Sequence, residues 1–79
     1  MSVEIKQETA KDLITFKLEH LSKLIDSILK KWNQNNIEEF LSKARSGELE
    51  NAEMDAISLK QINFDYQELK NLLSTIIKV

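Results

Sequence analysis

The chain holds one histidine, His20, and no cysteine, so acid–base, nucleophilic or metal chemistry would have to be built around that imidazole or around carboxylates. A helical di-iron centre uses Glu-x-x-His pairs, and the residue three before His20 is Lys17. A zinc-protease His-Glu-x-x-His motif is absent. Nucleophilic catalysis needs a serine, threonine or lysine oriented by a base, and Glu19 beside His20 on a helix is an ordinary amphipathic pair. Glu48, Glu50, Glu53 and Asp55 form an acidic cluster, but without the Asp-x-Asp-x-Asp-Gly rhythm of a calcium loop. They read as a solvated group at the start of a helix. No catalytic residue, metal site or cofactor is expected, and the chain is read as a non-enzyme.

Charge argues against nucleic acid as the principal ligand. Eleven basic and 13 acidic residues give a formal charge of -2, whereas phosphate recognition leaves a basic stripe. Lys6, Lys11, Lys17, Lys23, Lys30 and Lys31 do bias the N-terminal third toward positive charge, yet Glu8, Asp12, Glu19 and Asp26 are interleaved with them. Residues 38–55 carry Glu38, Glu39, Glu48, Glu50, Glu53 and Asp55 against Lys43 and Arg45, which predicts an acidic pole able to orient a basic partner.

The elements that must carry these side chains are helices. Ile14, Leu18, Leu21, Ile25, Ile28 and Trp32 follow a 4-3-4-3-4 spacing, and Leu59, Ile62, Tyr66, Leu69, Leu73 and Ile76 follow 3-4-3-4-3. Such alternation draws a straight apolar seam along an α-helix and suits it to lie against another helix. The chain has no proline and one glycine, so few residues are available to break a helix or shape a turn. A first helix is expected from between Ile5 and Thr9 to about Trp32, and a third one to about Ile77, each on the order of 40 Å long. Between them, Asn33-Gln34-Asn35-Asn36 breaks the chain and Asn36 with Glu39 approximates a capping box. Ile37, Phe40, Leu41 and Ala44 give a short helix its apolar face, and Gly47 ends it. Asn51 or Glu50 would cap the third helix. The expected fold is all-α and a single domain: two long antiparallel amphipathic helices joined through a short third helix.

Leu13, Phe16, His20 and Leu24 make a second stripe on nearly the opposite side of the first helix from its seam, and Ile57 and Phe64 are displaced from the seam of the third. A two-helix contact leaves all six in water unless the short helix, a terminus or a symmetry mate covers them. Contiguous exposed apolar surface on a small protein marks an interface, so these six are the candidate partner-binding residues. A chain of 79 residues is also short for a self-sufficient core, and a homodimeric helical bundle is expected. The lack of cysteine suits a reducing compartment, the start has no signal-peptide order, and no apolar run is long enough for a membrane span. A cytoplasmic protein without a membrane segment is the resulting expectation.

The central stretch, Ile37-Glu38-Glu39-Phe40-Leu41, Ala44-Arg45-Ser46-Gly47-Glu48-Leu49 and Ala52-Glu53-Met54-Asp55-Ala56, resembles the middle of short bacterial proteins akin to the antitoxin halves of toxin–antitoxin pairs. That resemblance implies a compact helical protein that binds and silences a partner. Antitoxins often carry a DNA-binding element, and no ribbon-helix-helix strand, swapped hairpin or compact helix-turn-helix is found here. The function expected is a helical protein–protein interaction module that self-associates and binds a partner protein. The alternatives are a small nucleic-acid-associated regulator and a structural subunit of a larger complex.

Overall fold

The computed structural model describes residues 7–77, which form three α-helices: α1 (Gln7–Lys31), α2 (Ile37–Ser46) and α3 (Glu53–Ile77). The fold is all-α. The two 25-residue helices are antiparallel rods of about 37 Å. Their register is fixed near the elbow, where Lys31 and Trp32 reach Asp55. Farther out, Tyr66 lies beside Leu18 and Ser22. The outcome is a rod, with extents of 54 × 22 × 18 Å and a radius of gyration of 16.0 Å, well above the roughly 12 Å of a compact chain of this length.

Local chemistry explains each break. At the end of α1 the Gln34 N–H donates to the Leu29 carbonyl at 2.9 Å and the Asn33 N–H to that of Lys30 at 3.1 Å. This paired closure needs a left-handed residue, which Asn33 supplies with φ 54°. Asn36 caps α2, its Oδ1 accepting from the Glu39 N–H at 2.7 Å. The Glu39 carboxylate pairs forward with Lys43 at 3.1 Å. Gly47, at φ 86°, terminates α2.

The start of α3 differs from expectation. Neither Glu50 nor Asn51 caps it; Asn51 takes φ 62° to turn the chain, and the carbonyl of Ala52 accepts the first helical hydrogen bond, from Ala56 at 2.8 Å. Ala52 is fully buried, so close packing of a methyl group takes precedence over a polar cap at that position.

The core is concentrated at the elbow. Phe40 from α2, Leu59 from α3 and Ala52 are fully buried, with Ile25 and Leu29 of α1 nearly so beside them, and the Phe40 ring meets Trp32 at 6.2 Å between centroids. Every residue of both seams is buried or half-buried. Toward the open end the seam residues Ile14, Leu18, Leu69 and Leu73 are only half-buried, because α2, about 15 Å long, does not extend that far. Six hydrophobic side chains are buried among the described residues, a thin core for an isolated domain.

Candidate interaction surface

The six off-seam residues are all exposed: Leu13 59%, Phe16 73%, Leu24 37%, Ile57 66% and Phe64 59%, with His20 in the same class. At 100° per residue, Leu13, His20 and Leu24 lie between about a quarter and a third of a turn round α1 from the seam rather than opposite it, whereas Phe16 is nearly opposite. The short helix does not cover them. It packs on the other flank, where Leu29 is buried against the Phe40 cluster and Ile25, Leu29, Asn36, Ile37 and Glu38 line one crevice.

The hairpin therefore has two unlike faces. On the α2 side the distal part mixes polar and apolar groups, with Thr15, Glu19, Ser22 and Lys23 joining Leu18 around Tyr66. The face away from α2 carries Leu13 and Leu24 from α1, together with two α3 residues that the sequence reading did not single out, Met54 (75% exposed) and Leu72 (48%). The signal for these two was present, since positions 54, 57, 61, 64, 68 and 72 keep a three-or-four spacing, but Gln61 and Glu68 interrupt its apolar character.

The named residues do not merge into one patch within a protomer. Ile57 lines a crevice of about 430 Å³ between α2 and α3 with Leu41, Ala44, Arg45, Glu53, Ala56 and Lys60. Phe64, two turns on, faces away from the seam. Phe16 projects from the far side of α1.

Charge at the elbow departs from a uniformly solvated acidic cluster. Asp55 Oδ2 accepts from Lys31 Nζ at 2.7 Å and from Trp32 Nε1 at 2.8 Å. The Lys31 hydrogen bond, followed by that from Trp32, holds the carboxyl below the usual carboxylate range. The Lys31 ammonium also lies 5.6 Å from the Trp32 ring centroid. Lys31 is thus engaged within the fold, which removes one of the six lysines that bias the N-terminal third toward positive charge.

Among the described residues no three His, Cys, Asp or Glu side chains come together as a metal site, and no helix is long and apolar enough to cross a membrane. No family model matches the chain, and no curated protein or solved structure is significantly similar to it.

Proposed function

We propose that this protein is a helical interaction module: it self-associates and binds a partner protein through helix faces that its own fold leaves uncovered. One observation carries the reading. Leu13, Phe16, Leu24, Met54, Ile57, Phe64 and Leu72 are exposed on a chain with a thin core, and large exposed apolar side chains in such numbers on so small a surface suit association. The mechanism is desolvation of these faces, with the acidic residues near the elbow contributing orientation. An antitoxin-like neutralising role is the form that the resemblance of residues 37–56 suggests.

Affinity purification from the native host, with Phe16→Asp, Phe64→Asp and the control Lys30→Asp, tests the partner-binding part. Loss of the same co-purifying protein from either Phe variant, with the control unaffected and helicity unchanged in all three, supports it. Equal recovery by all variants contradicts it.

A further inference from the structure

The charges on the face away from α2 are segregated by helix. Within about a quarter turn of the centre of that face, α1 presents Lys17 and Lys31 beside His20, and α3 presents Asp65 and Glu68. Lys31 belongs to the Asp55 pair, and Asp65 accepts a hydrogen bond from Gln61. Among the described residues neither Lys17 nor Glu68 has an ion-pair partner within the protomer. Both lie at one height along the rod: Tyr66 sits beside Leu18, Glu19 and Ser22, and Glu68, two residues and about 3 Å farther on, comes level with Lys17 to His20.

We propose that the occupant of this face is a second copy of the chain, related by a twofold axis parallel to the rods, so that α1 of each protomer lies antiparallel on α3 of the other. This rests on the self-association proposed above and adds its geometry. Two arrangements can bring the faces together. A twofold axis across the rods sets α1 on α1 and α3 on α3, opposing a basic edge to a basic edge and an acidic edge to an acidic one. An axis along the rods preserves height and exchanges the helices, setting Lys17 against Glu68 of the partner subunit twice per dimer. It also sets Leu13 near the height of Leu72 of the partner subunit, covering apolar surface that the protomer leaves in water. The four long helices then form a bundle in which neighbours are antiparallel, and both copies of α2 stay outside at one end. The same operation carries Phe64 of the partner subunit to the flank that displays Phe16, so the two exposed rings that are apart in one protomer share a surface in the dimer.

The test uses K17E and E68K and a cysteine pair, since the native chain has no cysteine. Each charge reversal alone is expected to weaken self-association about ten-fold, and an equimolar mixture to restore it, because each reversed position then faces its opposite charge. Leu13→Cys and Leu72→Cys proteins, mixed and oxidised with copper phenanthroline, are expected to give a disulfide-linked mixed dimer, with little linkage of either alone. A wild-type dimer in which Leu13→Cys links to itself, and the mixed pair does not link, overturns the α1-on-α3 arrangement while leaving self-association standing. A wild-type monomer overturns self-association itself and leaves the face to a different protein.

Discussion

Trp32 at the end of α1 donates its indole N–H to Asp55 Oδ2 at 2.8 Å, across a chain separation of 23 residues. With Lys31 on the same oxygen at 2.7 Å, this carboxylate closes the elbow and sets the register in which the two long seams meet.

The folded-state pKa of Asp55 is depressed, so the stability it adds is present above its ordinary value of 3.8 and is lost as the pH falls through the lower folded value. Asp55→Asn should lower the melting temperature at pH 7 and narrow its difference from wild type in acid. Trp32, the only tryptophan, should report the change as a red-shifted emission in the variant at neutral pH. Identical emission and melting for variant and wild type at pH 7 would show that the contact contributes nothing.

Truncations should grade along the rod. Phe40→Ala should cost about 3 to 5 kcal/mol and Leu59→Ala about 2 to 5, as buried residues do. In the protomer, the half-buried Leu69 has less to lose, and Leu69→Ala should cost roughly half as much as Leu59→Ala. Urea unfolding at low protein concentration measures all three, and equal costs at positions 59 and 69 would place the core elsewhere.

Gly47 sits at φ 86° with nothing within 4 Å of where a Cβ would project. The penalty of Gly47→Ala is therefore conformational alone, about 1 kcal/mol. A neutral or stabilising effect on thermal unfolding would mean that α2 does not end in a left-handed residue.

What the sequence disclosed was periodic and local. The two ladders located the seams, Asn36 its cap and Gly47 its stop, because each is written within a few residues. The role of Asp55 was hidden: four neighbouring acids, Glu48, Glu50, Glu53 and Asp55, look alike in sequence, and only the antiparallel register places one of them under Lys31 and Trp32. The positive φ of Asn33 and Asn51 and the burial of Ala52 at the start of α3 likewise depend on how tightly the rods close. Leu13, Phe16, His20, Leu24, Ile57 and Phe64 were legible as surplus to the seam, but their division between the face away from α2, the crevice holding Ile57 and the outer flanks required the path of α2.

Phe16→Asp and Phe64→Asp should leave helicity and melting temperature close to wild type, since both rings are more than half exposed. Circular dichroism checks this, and a variant that fails to fold would place its ring in a core that the protomer does not show.

The most direct test of an uncovered face built for association is sedimentation equilibrium of the untagged protein at tens of micromolar, beside Leu13→Asp and Leu24→Asp. The wild type is predicted to sediment at twice the 9.2 kDa chain mass, with both variants helical and shifted toward monomer. A wild-type chain that stays monomeric at that concentration, and unfolds cooperatively on its own, would contradict the account.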